Sequence, residues 1–377
     1  MALMIPAILG LFLSGGIGVA NIHFIGRKRF DVATLTANAM TFTLLATILG
    51  IVLTALLVVT NVLDRLIPGV PLWLFLLALS GLPFALLAGY LSTILQGLQQ
   101  ISAVNNVRLA LALSNLALLA VFLYWVNWGI PGAIYASVLS SLFNVLVLVW
   151  YLRRYGASFM PRWDRIVMKE TLLFGLRGYF GNILQFFNYR LDVFIVNFFL
   201  GPVSVGIYGV ATKLAELVWY FPNAVSFVIF PKSAATAASE MNRFTPRVFR
   251  ATVLISAAAS AALIVVARPL IRFIYTDAFR DAYWPLFALL PGVILLGAGR
   301  VLTSDIAGRG YPQYNSISSG TTLVLTIILD LIMIPRMGIL GASIASSIAY
   351  AFTFFMTLWF YRVISRREPN VQPIATQ

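Results

Sequence analysis

The sequence predicts an all-α protein that crosses a membrane many times and is built as two parallel helical lobes. Hydrophobic residues make up 60% of its 377 residues and charged residues only 10%, whereas a soluble domain carries about 25% charged residues. Long apolar runs recur along the chain, and the basic residues fall in alternate loops between them. Because polar groups are too few to cover a water-facing particle, lipid must solvate most of the surface.

Eleven stretches meet the requirement of about 20 mostly apolar residues for a spanning helix. The first is interpreted as a spanning helix and not as a signal peptide, because its basic residues follow the apolar run instead of preceding it. Seven of the eight tryptophans lie near a predicted helix end, as in an interfacial aromatic belt. The stretches are residues 1–22, 35–60, 71–97, 109–125, 131–152, 172–199, 207–231, 251–274, 283–306, 316–334 and 338–363.

The basic residues predict which loops face the cytoplasm. One set of alternate loops carries seventeen Lys and Arg, and the other carries four or five. Cytoplasmic loops hold the excess, so we expect the C-terminus to lie in the cytoplasm. This orientation also explains the net charge of +14 without a nucleic-acid partner. The sparse outer set is Arg65, Arg272, Arg280 and Arg336, with Arg268 at its edge.

Four parts are predicted. Residues 1–152 form an N-terminal lobe of five spans, 153–171 a cytoplasmic amphipathic linker, 172–363 a C-terminal lobe of six spans, and 364–377 a cytoplasmic tail. If each lobe has six helices, the first lobe lacks one and the sequence begins with what would be its second helix, so we expect either a shortened chain or a start codon placed too late.

An internal repeat relates the two lobes. Residues 129–137 (Gly-Ile-Pro-Gly-Ala-Ile-Tyr-Ala-Ser) match residues 338–346 (Gly-Ile-Leu-Gly-Ala-Ser-Ile-Ala-Ser). Both copies open a span that runs from outside to inside, which predicts parallel repeats about an axis along the membrane normal. The alternative is chance similarity, because small residues are common where membrane helices touch.

Charged residues inside spans are costly in lipid and usually face a cavity or one another. A rise of about 1.5 Å per residue places Arg190, Asp192, Lys213 and Glu216 at one depth. Two interpretations stay open: these charges pair only to hold helices together, or the cations line a hydrated cavity and the carboxylates steady them. Asp330 is either a helix contact or a cation site. The candidate substrate-binding residues are Arg177, Arg190, Asp192, Lys213, Glu216 and Arg300.

Enzyme chemistry has little support in the sequence. We find no GxxxxGKS/T nucleotide loop, no HExxH and no GxSxG. There is no cysteine and only one histidine, His23, so thiol-metal and histidine-rich metal sites are excluded. We therefore predict no catalytic residue, no metal centre and no cofactor. Pro222 and the pair Pro291-Gly292 are expected to interrupt their helices.

Several segments resemble a known family. They are residues 174–176 (Phe-Gly-Leu), 188–192 (Asn-Tyr-Arg-Leu-Asp), 200–208 (Leu-Gly-Pro-Val-Ser-Val-Gly-Ile-Tyr), 221–225 (Phe-Pro-Asn-Ala-Val) and 230–231 (Phe-Pro). Together they are similar to the polysaccharide biosynthesis, or Wzx-like oligosaccharide flippase, family of the MOP (MATE-like) superfamily.

That resemblance implies two six-helix lobes around a central cavity and transport by alternating access. Its implied cargo is an undecaprenyl-diphosphate-linked oligosaccharide moved from the cytoplasmic to the periplasmic leaflet. The implied partners are the lipid-linked glycan, the bilayer and a glycan polymerase or another polysaccharide-assembly protein. The match at 188–192 would place Arg190 and Asp192 in the cavity wall.

Two alternatives remain. A cation-coupled multidrug exporter of the MATE type would favour an anionic cavity, whereas the charges here lean positive. A membrane-embedded glycan-modifying enzyme would call for a catalytic cluster or a substantial loop, and the sequence offers neither.

Overall fold

The computed structural model describes residues 4–60 and 71–367. Their regular secondary structure is helical throughout. Arg65 and residues 368–377 of the predicted tail lie outside this described part. The helices are α1 Met4–Leu13, α2 Ile17–Gly26, α3 Val32–Val59, α4 Leu72–Leu79, α5 Leu82–Gly97, α6 Ile101–Ala120, α7 Gly129–Arg153, α8 Arg165–Asn188, α9 Leu191–Glu216, α10 Tyr220–Ala235, α11 Ala238–Tyr275, α12 Tyr283–Gly308 and α13 Gln313–Arg367, with a π-helical turn at Val121–Trp125 and 3₁₀ turns at Leu217–Trp219 and Asp277–Ala282.

The predicted polytopic helical fold is confirmed. Eight helical runs in the described residues are long and apolar enough to cross a membrane. Two of them contain a glycine with non-helical backbone, Gly201 in α9 and Gly338 in α13. Divided at these two glycines, the eight runs become ten segments, which correspond to ten of the eleven predicted spans. The remaining predicted span, 1–22, corresponds to the shorter helices α1 and α2.

Some predicted spans differ in detail. The span 1–22 is two helices, because Gly15 and Gly16 adopt φ values of 55° and 71°, which favour glycine. The predicted interruption at Pro291 is wrong, since α12 runs through it as one helix. Its neighbour Gly292 serves close packing instead: a Cβ there would lie 2.5 Å from Ser347 Cα. At Pro222 the helix does change, through the 3₁₀ turn just before it.

Side-chain caps explain where two helices begin. Asp31 accepts a hydrogen bond from the Thr34 amide at 3.0 Å and starts α3. That bond holds the pKa of Asp31 below its ordinary value. Asp164 accepts from the amides of Ile166 and Val167 at 3.0 and 3.1 Å and starts α8. Such caps satisfy amides that lack a partner in the first turn. In the predicted linker 153–171, residues 154–164 are therefore not helical, and α8 begins at Arg165.

The chain divides into two compact units, Met1–Leu176 and Arg177–Gln377. In the first unit, α2, α3 and α5 form the core around Ile17, Leu86 and Tyr90. The Tyr90 hydroxyl donates to the Ser14 carbonyl at 3.1 Å across the break between α1 and α2. This unit holds no ion pair within its predicted spans among the described residues.

The second unit packs α9, α11, α12 and α13 around a larger core that includes Tyr208, Trp219 and Leu290. The Trp219 Nε1 atom donates to the Val293 carbonyl at 3.0 Å, which ties the start of α10 to α12. At the end of α12, a Cβ on Gly308 would lie 2.7 Å from the Phe230 carbonyl oxygen, so only glycine lets these helices approach.

The two copies of the sequence repeat share one backbone feature. Their first residues, Gly129 and Gly338, adopt φ values of 55° and 62° and each opens a spanning helix. Their fourth residues, Gly132 and Gly341, are close to neighbouring side chains or backbone. Equivalent roles at equivalent positions favour a true repeat over chance similarity.

Candidate functional site

The junction between α8 and α9 distributes side chains to several helices. Asn188 ends α8, and Arg190, with φ of −129°, precedes α9. Asn188 and Asp192 are each 1% exposed. Tyr189 and Arg190 are half-buried and contact Arg300 and Glu216. The sequence motif at 188–192 is thus a short break whose consecutive residues serve different contacts.

Arg300 is a half-buried cation within a predicted span, and its charge has no carboxylate partner in the described residues. Its Nη2 atom donates to the Tyr189 hydroxyl at 2.9 Å, and its Nη1 atom donates to Asn223 Oδ1. The guanidinium carbon lies 4.2 Å from the centre of the Trp219 ring. Neutral and aromatic contacts position an arginine without cancelling its charge, so Arg300 remains available to an anion.

Arg190 differs, because it is paired. Its Nη1 atom lies 3.5 Å from Glu216 Oε1, and the two side chains are 39% and 27% exposed. The prediction that these two charges lie together is therefore correct in geometry. A pair this long and this exposed contributes about 1 kcal/mol or less to stability.

Asp192 points away from that pair into the core. Its carboxylate accepts hydrogen bonds from the Tyr208 hydroxyl, from Ser346 Oγ at 3.3 Å and from the Val193 amide at 2.7 Å. Ser346 is the last residue of the second repeat copy. Its counterpart Ser137 in the first unit accepts through its carbonyl from Ser140 and Ser141. A carboxylate-bound serine is thus described only in the second copy.

Asp330 is fully buried, and neither of its carboxylate oxygens has a hydrogen-bond partner in the described structure. It lies one helical turn after Thr326, whose hydroxyl contacts Asn188 Oδ1 at 3.3 Å. Thr326 thereby connects the helix of Asp330 to Asn188, which lies four residues before Asp192 in the chain. An unpartnered buried carboxylate is costly, which indicates a group that is protonated or bound to a cation.

The oxygens near these carboxylates suit a small cation. Tyr208 and Ser346 supply neutral oxygens to the Asp192 carboxylate, and Thr326 carries another one helical turn before Asp330. Hard cations such as Na⁺ prefer oxygen ligands of this kind. No group of three or more His, Cys, Asp or Glu converges in the described residues, so the arrangement differs from a multi-carboxylate divalent site.

Two candidate residues stand apart from the rest. Arg177 is exposed, and its described hydrogen bond to another helix is made by its carbonyl, which accepts from Ser316 Oγ at 2.5 Å. Lys213 is exposed and makes no described contact with Arg190, Asp192 or Glu216. The structure does not bring the four predicted charges together in the described residues. Arg190 pairs with Glu216, whereas Asp192 bonds Tyr208 and Ser346.

Sequence reasoning missed a buried ion pair. Arg309 Nη2 lies 2.8 Å from Asp305 Oδ2, and the two side chains are 1% and 0% exposed. Ser233 Oγ also donates to the Asp305 carboxylate. Arg309 lies beyond the predicted span 283–306, but α12 continues to Gly308 and brings both charges into the packed end of the unit. The spacing of four residues was the available signal.

Known proteins resemble this chain in sequence and in fold. Residues 1–283 match the family described as polysaccharide biosynthesis protein. The probable low-salt glycan biosynthesis flippase of Haloferax volcanii is 22% identical over 229 residues, which cover 58% of this chain and 47% of that protein. The capsular polysaccharide biosynthesis protein CapF of Staphylococcus aureus is 20% identical over 264 residues, covering 68% and 67%. The chain therefore spans about half the length of the first of these relatives.

Solved structures show the same fold. An outward-facing multidrug resistance MATE transporter of the MOP superfamily superposes with a TM-score of 0.79 at 18% identity, covering 98% of this chain and 88% of that chain. A MOP superfamily transporter from Pyrococcus furiosus, described as having a binding pocket of reverse polarity, gives 0.76 at 17% identity with coverage of 98% and 88%. At such identities the likeness establishes the fold and leaves the cargo open.

Proposed function

Since the chain belongs to the polysaccharide biosynthesis protein family, we propose that it is a flippase. Its cargo is an undecaprenyl-diphosphate-linked oligosaccharide, which it moves from the cytoplasmic to the periplasmic leaflet by alternating access. The observation that carries this proposal is Arg300, a cation held by Tyr189, Asn223 and Trp219 and left without a carboxylate partner in the described residues.

The chemistry of the cargo requires such a group. A sugar diphosphate cannot cross hydrocarbon unaided, because moving an unpaired charge out of water is prohibitive. Arginine binds phosphate oxygens through two parallel N–H bonds and keeps its charge at any physiological pH. Arg300 binds the diphosphate, and Arg190 adds a second cation on the exposed side of its pair with Glu216. The lipid tail stays in the bilayer throughout.

Asp192 and Asp330 form the coupling site in this proposal. A cation or a proton that binds there neutralises a buried carboxylate, and its release restores an unfavourable charge. The junction between α8 and α9 connects this site to Arg300. The Tyr189 hydroxyl accepts a hydrogen bond from Arg300, and the neighbouring Asn188 accepts one from Thr326, which lies one turn before Asp330. A cation gradient therefore has a route to the anion-binding residue.

A cation-coupled drug exporter is the second candidate, favoured by the fold and by the two carboxylates. Those carboxylates are 1% and 0% exposed, so a bulky cationic drug has no access to them in this conformation. Arg300, by contrast, is half-buried and has no carboxylate partner in the described residues. Arg300 therefore supports an anionic cargo, and the carboxylates support coupling.

The orientation completes the proposal. The protein lies in the inner membrane with its C-terminus in the cytoplasm, beside a glycan polymerase or another polysaccharide-assembly protein. Reporter fusions test the orientation: a fusion after Arg165 should report cytoplasm, and a fusion after Asp281 should report periplasm. The opposite pattern would reverse the loop assignment.

Arg300→Ala tests the function. The gene is deleted, the lipid-linked glycan left on the cytoplasmic leaflet is measured, and variants are reintroduced. We expect Arg300→Ala to lower transport at least about tenfold, because it removes a charged hydrogen bond to the diphosphate. The amount of protein in the membrane should stay near the wild-type level. Arg300→Lys keeps the charge without the planar fork and should be intermediate.

Arg336→Ala is the matched control, because Arg336 is exposed and has no described partner. It should transport normally. Wild-type transport by Arg300→Ala would contradict the proposed anion site. Failure of the gene deletion to accumulate any lipid-linked glycan would contradict the proposed cargo.

A further inference from the structure

A second charged pocket lies in the other direction along the same unit, where α11 ends and α12 begins. Its volume is about 320 Å³, and its lining includes Arg268, Arg272, Arg280, Tyr283 and Trp284. Ligand pockets commonly start at about 300 Å³. None of these residues takes part in the proposed anion or cation site.

The charge of this pocket is unexpected for its side of the membrane. Outer loops are poor in Lys and Arg, and the predicted outer set of this chain holds only four or five. Three of them, Arg268, Arg272 and Arg280, nevertheless line one pocket. Most of the few basic residues predicted on the outer side of the membrane therefore lie in this one pocket.

The three arginines are not equivalent. Arg272 Nε lies 3.2 Å from Asp277 Oδ1, and Arg280 Nε lies 3.7 Å from Asp281 Oδ1. Arg268 has no carboxylate and no hydrogen-bond partner in the described residues. Its guanidinium carbon lies 4.5 Å from the centre of the Tyr283 ring. Stacking uses the face of a guanidinium and leaves its in-plane donors for a planar anion or a phosphate.

The backbone of the pocket is strained. Thr276 has φ of 75° and ψ of 169°, a region that a β-branched residue rarely adopts. This residue follows Tyr275 at the end of α11, and it turns the chain so that Asp277 returns to Arg272. Strain of this kind persists where surrounding contacts require it and often occurs at ligand clamps.

Apolar side chains surround the charged pocket. Phe273 is 91% exposed, Ile274 56% and Trp284 59%. Tryptophan at a helix end is typical of the headgroup level of a bilayer. A phosphate in the pocket would therefore lie beside side chains suited to acyl chains. A soluble anion would gain nothing from that apolar border.

We propose that this pocket binds the phosphate of an anionic phospholipid in the outer leaflet, with Arg268 as its main ligand. Arg272 and Arg280 are paired with Asp277 and Asp281, which also line the pocket, so its excess positive charge is that of Arg268. The inference does not depend on the cargo of the proposed flippase. A phospholipid and a polyprenyl phosphate both carry a lipid phosphate, so the experiment compares the two.

The test is native mass spectrometry of the purified full chain in detergent, titrated with phosphatidylglycerol, phosphatidylcholine or undecaprenyl phosphate. We expect a phosphatidylglycerol adduct that Arg268→Ala weakens about tenfold, and weak binding of zwitterionic phosphatidylcholine. Arg336→Ala, an exposed arginine of the same predicted side, should bind like the wild type. Arg268→Lys should keep part of the affinity, and it carries the test if the alanine variant does not fold.

Three results would overturn the proposal. Unchanged phosphatidylglycerol binding by Arg268→Ala removes the assigned ligand. Equal weakening by Arg336→Ala reduces the effect to general surface charge. Tighter binding of undecaprenyl phosphate than of phosphatidylglycerol, lost in Arg268→Ala, assigns the pocket to the polyprenyl phosphate instead.

Discussion

Two ion pairs of the second unit, Arg309–Asp305 and Arg190–Glu216, allow a quantitative comparison of alanine variants. In Arg309→Ala, the carboxylate of Asp305 stays fully buried without its charge partner, since the pair is 2.8 Å long and 1% and 0% exposed. Removing one member of a buried pair costs about 3–5 kcal/mol. Total stabilities are only about 5–15 kcal/mol, so this variant should lose much of its folded population.

Arg190→Ala should behave differently. Its pair with Glu216 is 3.5 Å long and its side chains are 39% and 27% exposed. Solvent screens such charges, so the variant should lose about 1 kcal/mol or less. If Arg190 contributes to cargo binding, transport falls while the protein remains in the membrane.

Immunoblots of membranes and melting temperatures in detergent measure the stability difference, and glycan accumulation measures transport. A double variant provides the control: Asp305→Asn in the Arg309→Ala background removes the stranded charge and should recover part of the lost stability. Loss of Arg190→Ala protein to the same extent as Arg309→Ala would show that Arg190 is only a structural cation. Wild-type levels of Arg309→Ala would refute the burial argument itself.

Two further predictions concern other parts of the second unit. Asp330→Asn should fold normally, since the amide removes an unpartnered buried charge. In the wild type, Na⁺ at 100 times its Kd should stabilise the fold by about 2.7 kcal/mol and so raise the melting temperature. The variant should lose this rise, and a persisting rise would exclude Asp330 from the cation site. Gly338→Ala should lower stability by about 1–2 kcal/mol, because its φ is 62° while its nearest neighbour is Leu200 at 4.0 Å. Gly89→Ala, with ordinary φ and open space, should leave the melting temperature unchanged, and an equal loss there would argue against backbone strain.

The sequence was sufficient to predict most of the fold. A bilayer requires every backbone amide to be satisfied inside the segment that crosses it, so long apolar runs predict helices directly. Glycine breaks were harder to predict. The same residue type turns the chain at Gly338 and packs against a neighbour inside a straight helix at Gly292. Only tertiary contacts distinguish these two uses.

The candidate site was less predictable for a similar reason. Position along a span gives the depth of a charge but not the direction in which it points. Lys213 and Glu216 lie one turn apart, and yet only Glu216 reaches Arg190. Asp192 turns to Tyr208 and Ser346, which are neutral and gave no signal in a search for charges. A polar residue at every fourth position, as at Thr322, Thr326 and Asp330, is the pattern that would have indicated the buried region.

The short break at residues 188–190 has a consequence for insertions and deletions. Each residue of an α-helix turns the next by about 100°. Removing one residue between Asn188 and Asp192 would change the rotation of α9 relative to α8. The Asp192 carboxylate would then turn away from Ser346 of α13, which bonds it at 3.3 Å. Chain length in this segment is therefore as strictly determined as the identity of its charged residues, although the segment is no more than a gap between two helices.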